Sequence, residues 1–310
     1  MISELFTTTV LIGILASGIR LATPYLYAAI GETFGQKSGV LNLGVEGQML
    51  LGCFAAFYVA LTTGNLWLGL LAAVLVGALM GLAMAFVTVN LHAQQGISGI
   101  GFYLFGLGMS DLLFQKLMGT VETVKGFPKI NIPGLSDIPG IGEIFFSQNI
   151  LVYGAYLLVP LAWFVLNKTT LGLKIRSVGE NPDAADSLGV SVARVRYFTI
   201  ILGGILSGIA GASLSIALLN VFQQNMTSGL GFIAVALVYF GAWKPLGVLG
   251  GALLFSMVNS LQLWIQVLGI PVPSDIAVMM PYVLTILVLV ATVSRVRAPF
   301  ALTKPFERED

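Results

Sequence analysis

From Leu66 to Leu91 the chain runs without a single charged side chain. Crossing the hydrocarbon core takes about 20 apolar residues, and there every backbone N–H and C=O must be paired within the protein, which only helices and closed barrels achieve. Further apolar segments fall at Leu5–Thr23, Pro24–Phe34, Gly47–Leu61, Ser98–Leu117, Ile150–Leu166, Tyr197–Leu219, Gly229–Trp243, Leu246–Leu268 and Ile276–Val293. Most are long and continuous, unlike the roughly ten-residue alternating strands of a barrel. Only 9% of the 310 residues are charged, against about 25% in a soluble domain. The expected fold is an all-α polytopic membrane protein, one domain over residues 1–310 with about ten transmembrane helices. Pro24–Phe34 and Gly229–Trp243 are too short to cross as straight lipid-facing helices, so they are expected to be short or broken, with protein covering their ends.

Charge sets the orientation. Lys37, the five basic residues of the Lys168–Arg196 loop, Lys244, Arg295, Arg297, Lys304 and Arg308 fall on one side. Only Lys125 and Lys129 fall in a loop on the other, accompanied by Glu122, Asp137 and Glu143. Arg20 and Lys116 sit near outer helix ends, where they can snorkel. This bias puts the Lys168–Arg196 loop and both termini in the cytoplasm. The N-terminus MISELF lacks a cationic leader region, so the first segment is expected to stay as a span. The loop 119–149, with Pro128, Pro133 and Pro139, is then external. Loops of such length are often functional, and this one is either a plain connector or a contact for an extracytoplasmic partner.

The cytoplasmic loop carries a short helix with its own signals. Asn181 can cap it, Pro182 suits the first helical position and Asp183 places negative charge in the first turn. Ala184, Ala185, Asp186, Ser187 and Leu188 continue it, and Gly189 ends it. A helix of about seven residues does not hold in water unaided, so a partner protein is expected to dock there, against Ala184, Ala185 and Leu188.

Polar groups inside the apolar segments are the other candidates. The stretch 31–48, GETFGQKSGVLNLGVEGQ, is too polar for a plain span and reads as two half-helices separated by a bend. Asn42 and Glu46 within it either line a pathway or cap broken helices. Ser256, Asn259, Gln262 and Gln266 share one helix and serve either as glue between helices or as pathway lining. Asp111 reads as a helix-end cap or a partner of Lys116. Phe102, Tyr103 and Phe105 are packing residues or a stacking platform for an aromatic solute. Cys53 is a small core residue. SGIGF at 98–102 recurs as SGLGF at 228–232, a hint of an inverted repeat.

Enzyme readings fail on inventory. One histidine excludes an HExxH zinc site, and no metal site, cofactor site or Walker A motif is present. The GxSG form at 96–99 has only His92 as a base, a few residues upstream. Basic residues cluster at membrane edges, which argues against nucleic acid. A secondary transporter and a channel or structural membrane protein stay open on the residues alone.

SGVLNLGVEG at 38–47, GLKIR at 172–176 and GENPDAA at 179–185 together resemble bacterial ABC-importer permeases of the simple-sugar, nucleoside and branched-chain amino acid group. Asp183-Ala184-Ala185 with Gly189 is similar to the EAA-x-x-x-G pattern of importer coupling helices, with Asp in place of Glu. The form is most like the shorter of two paired permeases in nucleoside importers, and riboflavin importers are similar. The resemblance implies residence in the bacterial inner membrane and a second permease, often non-identical. It also implies cytoplasmic ATPase subunits that bind the ATP, and an extracytoplasmic substrate-binding protein.

Overall fold

A computed structural model describes residues 7–269 and 297–307, and between them positions 273, 276, 279–281, 283, 286, 287 and 290. The expected segment Ile276–Val293 therefore lies largely outside the described residues, as do Arg295 and Arg308.

Helix α1 (Thr8–Lys37) is 30 residues long, or about 45 Å at 1.5 Å per residue. Leu5–Thr23 and Pro24–Phe34 read as separate segments; the structure joins them into this one helix, with Pro24 inside it. Residues 22–36 are buried throughout, so neighbouring helices hold the chain in register across the missing N–H. Thr23 Oγ1 donates to the Ile19 carbonyl at 3.4 Å, which satisfies its hydroxyl within the helix.

After α1 come α2 (Val45–Thr63), α3 (Leu66–Ala85, prolonged by a π-helical turn to Asn90) and α4 (Gln95–Leu117). Strands β1 (Lys129–Asn131) and β2 (Ser147–Asn149) pair antiparallel around α5 (Ile141–Phe145). Then follow α6 (Ile150–Lys168), α7 (Thr170–Glu180), α8 (Pro182–Ser187), α9 (Val192–Ser213, with a π-helical end to Leu218), α10 (Leu230–Phe240) and α11 (Pro245–Val267). Among the described residues, seven helices are long and apolar enough to cross a membrane: α1, α2, α3, α4, α6, α9 and α11. The chain is a multi-pass helical membrane protein, with fewer described spans than the expected ten because two segments merge, one lies outside the described residues and α10 is a short helix.

Helix α1 runs unbroken from one face of the described structure to the other. Its first turns pack against the 119–149 loop, where Ile12 and Ile19 join Ile144. Its last residue, Lys37, lies against Gly179 at the end of α7. The tail bonds to that second face, Ala301 N–H to the Gly179 carbonyl and Thr303 N–H to the Gly39 carbonyl. While the termini themselves, residues 1–6 and 308–310, lie outside the described residues, residue 7 and residues 301–303 thus lie at opposite faces. The reason is the unbroken α1, which crosses once where the sequence allowed two segments.

Helices α2, α3 and α9 meet through small residues. A Cβ on Gly81 would come within 2.9 Å of the Ile200 carbonyl, and one on Gly52 within 2.8 Å of Gly208 Cα. In lipid, apolar burial gives no net drive between helices, so such close backbone approach supplies the dispersion contact instead. The SGIGF and SGLGF stretches both border the 42–47 turn, Gly99 against Leu43 and Gly231 against Glu46, but one lies inside α4 and the other leads into α10. Replacing Gly81 with Val is expected to cost about 1–3 kcal/mol through overpacking. Gly101→Ala, where a Cβ meets nothing within 4 Å, is expected to be neutral or to gain up to about 1 kcal/mol. Thermal unfolding of the purified protein in detergent measures both.

Candidate functional site

The site is built on the turn between α1 and α2. Gly39 takes φ +92°, which a side chain would strain, and a Cβ there would sit 3.0 Å from the Ala301 carbonyl. The buried Glu32 carboxylate accepts the Asn42 backbone N–H at 3.0 Å and the Gln36 amide at 2.9 Å. Gln36 Oε1 in turn accepts the Trp243 indole N–H at 2.8 Å. Asn42 Oδ1 accepts the Gly44 N–H at 2.9 Å and its amide donates to Gln48 Oε1 at 3.2 Å. The turn is thus a folded polar knot inside the protein, with the bend that the glycine-rich sequence suggested.

Helix α10 starts beside this knot. Its first N–H groups have no partner within the helix, and Glu46, only 1% exposed, meets them. Glu46 Oε1 accepts the Gly229 N–H at 2.7 Å and the Thr227 hydroxyl at 2.6 Å; Oε2 accepts the Gly231 N–H at 2.6 Å. A Cβ on Gly231 would lie 2.6 Å from Glu46 Cα, so only glycine lets the two backbones meet. At the other end Ala242 and Trp243 have φ of +51° and +55°, and Ser228 at the start has +43°. Non-glycine residues in that region are strained and are held there by their surroundings; Trp243 is held by Gln36.

A cavity of about 180 Å³ opens against the start of α10. Thr227, Ser228 and Leu230 form one wall, Tyr25 and Phe255 another, and Asn259 and Gln262 add amides. The Tyr25 and Phe255 rings pack edge to face at 5.2 Å. Of the residues singled out in the sequence, Asn259 and Gln262 line this space. Glu46 stands behind its wall and holds it through Thr227, while Asn42 stays within the knot, bonded to Glu32, Gly44 and Gln48. Ser256 is fully buried and donates to the Leu253 carbonyl at 3.0 Å, while Gln266 is exposed. Tyr103 packs on Phe232, and Phe102 joins the cluster around Val40 and Met84. Asp111 makes no ion pair with Lys116 among the described residues, and its Oδ1 is buried without a hydrogen bond.

The loop 168–196 forms two helices. Asn181 Oδ1 accepts the Ala184 N–H at 3.1 Å at the start of α8, and Gly189 takes φ +82° beyond its end. Leu188 is 84% exposed, and Ala184 is exposed, but Ala185 is only 3% exposed and belongs to the protein's own core. Ala185 is therefore not part of the outward face expected for docking. Its burial also explains how so short a helix holds: its own chain grips it. Helix α7 was not among the expected helices, although Leu171, Ile175 and Val178 recur at helical spacing behind a Thr169 cap whose hydroxyl accepts the Gly172 N–H at 3.1 Å.

The described residues thus form a multi-pass helical protein with a short helix, a buried polar knot and a small mixed cavity. Residues 14–289 match the family model described as branched-chain amino acid transport system / permease component, and the chain belongs to that family. It is similar to the guanosine ABC transporter permease protein NupQ of Bacillus subtilis, at 38% identity over 92% of this chain and 93% of the relative. Similarity to the nucleoside ABC transporter permease protein NupC of Lactococcus lactis is also 38%, over 93% and 94%. A putative glucose ABC transporter permease of Haloferax volcanii is 40% identical over 83% of this chain and 79% of its own. A second guanosine permease of Bacillus subtilis, NupP, matches at 26%. No solved structure matches.

Replacing Gln36 with Leu leaves the Trp243 indole and one Glu32 oxygen without that partner, and is expected to cost about 1–3 kcal/mol. Trp243→Phe in the same chain is expected to recover part of the loss. A double-mutant cycle on thermal stability reads the coupling.

Proposed function

We propose that this chain is one membrane permease of an ATP-driven importer and that its solute is a nucleoside. The observation that carries the reading is the match over more than nine-tenths of the chain to permeases whose names state nucleoside or guanosine transport. The cavity supports it with the right mixture: aromatic rings for a base, hydroxyls and amides for a sugar. A sugar alone is the second reading, favoured by the 40% identical putative glucose permease.

The rest of the importer follows from the same reading. At about 180 Å³ the cavity is smaller than the roughly 300–1,000 Å³ of ordinary ligand sites, so it encloses part of a solute. A second, non-identical permease completes it, as the pair of guanosine permeases in Bacillus subtilis suggests by analogy. Cytoplasmic ATPase subunits bind the ATP and dock on the loop 168–196, which places the protein in the bacterial inner membrane with that loop and the tail inside and Thr7 outside. An extracytoplasmic binding protein delivers solute to the 119–149 side. Ile130, Leu135, Ile138 and Ile141 are exposed there.

The docking contact is expected to centre on Leu188 with Ala184 beside it. Leu188→Glu puts a charge in the middle of that contact and is expected to cost about 2 kcal/mol or more, roughly a thirtyfold weaker attachment of the ATPase. Tritiated guanosine uptake by cells carrying this chain with its partner subunits should fall accordingly, at unchanged membrane abundance. Uptake that survives ATP depletion and follows an ion gradient would overturn the importer reading.

A further inference from the structure

We propose that the groove between α1, α6 and α11 seats one acyl chain of an anionic phospholipid, with the lipid phosphate held by the cations at the groove's cytoplasmic end. The site is separate from the solute cavity, and its inner side is the side of the loop 168–196.

A second cavity, of about 320 Å³, runs between these three helices. Its floor is α1, where Ala22, Thr23 and Leu26 are buried. Pro160 of α6 and Leu246 and Leu249 of α11 form the sides. The lining offers a polar molecule no accessible partner. The Thr23 hydroxyl is committed to the Ile19 carbonyl, and the Tyr156 oxygen is itself buried. Phe145, from the 119–149 loop, and Leu246, at the opposite end of the bundle, also line it; they are 45% and 58% exposed and leave the groove open to its surroundings. In a bilayer those surroundings are hydrocarbon, and an apolar gap holds no water.

Charge at one end selects the lipid. Each of the three helices carries a lysine where it reaches the side of the loop 168–196. Lys37 ends α1, Lys168 ends α6 and Lys244 directly precedes α11. Lys244 is exposed and stands two positions before Leu246, so the cationic end adjoins the groove. Arg176 and Lys244 lie close enough to the partly buried Lys37 for their charges to act on it, with Glu180 as the opposing carboxylate. None of Lys37, Lys168, Arg176 and Lys244 forms an ion pair among the described residues. Single lysines at cytoplasmic helix ends are ordinary. Three cations gathered around one carboxylate, without pairing, leave an excess that an anion relieves. Basic pockets between membrane helices on this side suit anionic headgroups. A zwitterionic headgroup brings its own cation and gains less.

The test uses the purified complex of this chain with its partner subunits, in detergent. Phosphatidylglycerol and phosphatidylcholine of the same chains are added at equal concentration, and retained lipid is counted by native mass spectrometry. Wild type is expected to retain phosphatidylglycerol in preference. Lys37→Gln and Lys244→Gln should each lower that preference about fivefold, with phosphatidylcholine retention unchanged. Leu249→Trp fills the groove, leaves the cations in place and should remove the bound lipid. If it fails to accumulate, Leu246→Trp at an exposed position makes the same test. Equal retention of both lipids by wild type, or an unchanged preference in both lysine variants, would overturn the proposal. A preference that survives filling the groove would put the lipid on the surface and overturn the groove as its seat. Efficient cross-linking of Leu246→Cys to the second permease, with no lipid retained, would make the groove a subunit contact instead. Uptake is not the readout, so failure here leaves the importer reading standing.

Discussion

A helix that begins inside a membrane protein must find partners for its first N–H groups without water. Helix α10 meets that constraint with one side chain from another helix, Glu46. Much of the surrounding architecture serves to hold that side chain. Glu46 is in the first turn of α2, α2 is placed by the turn after α1, and that turn is closed by Glu32 on the Asn42 N–H. At the far end of α10, Trp243 returns to the same knot through Gln36. Both ends of the short helix are thus tied to the α1–α2 turn, and the cavity lies along its first turn.

The turn is also where the loop side of the protein makes contact. Gly179, at the end of α7, packs on the Lys37 carbonyl. Arg196 donates from Nε to the Ser38 carbonyl at 3.3 Å, and Ser38 shares a hydrogen bond with Thr199 at 2.8 Å. The tail closes over it through Gly39 and Gly179. Ala185 anchors α8 in the main core while Leu188 points away from it. A force applied at α8 therefore meets α7 and the start of α9 first, and these touch the turn that carries the cavity wall.

What could be read from the sequence was what is local. The cap and stop of α8 depend on Asn181, Pro182 and Gly189 within a few positions, and the structure forms them. The bend within 31–48 was legible because glycines and charges there have no place in a plain span. What depended on distant partners was not legible. Pro24 looked like a boundary, yet the helices packed around it carry α1 through and move Thr7 to the opposite face. Ala185 looked like part of a free apolar face, yet it is core. Glu32 stood out as a charge within 31–48, but the bond from Trp243 to Gln36 gave no signal because it spans 207 positions. Thr227 and Ser228 became candidates only once Glu46 and the cavity were seen on either side of them.

The start of α10 is held by Glu46. Hydrogen exchange across residues 225–233 in the intact purified protein tests this directly. Tight bonding to a buried carboxylate predicts that the Gly229 and Gly231 amides exchange as slowly as those in the centre of α9, and that the protection is lost in Glu46→Gln. Exchange of these amides in wild type within seconds, as for unpaired groups open to water, would contradict it.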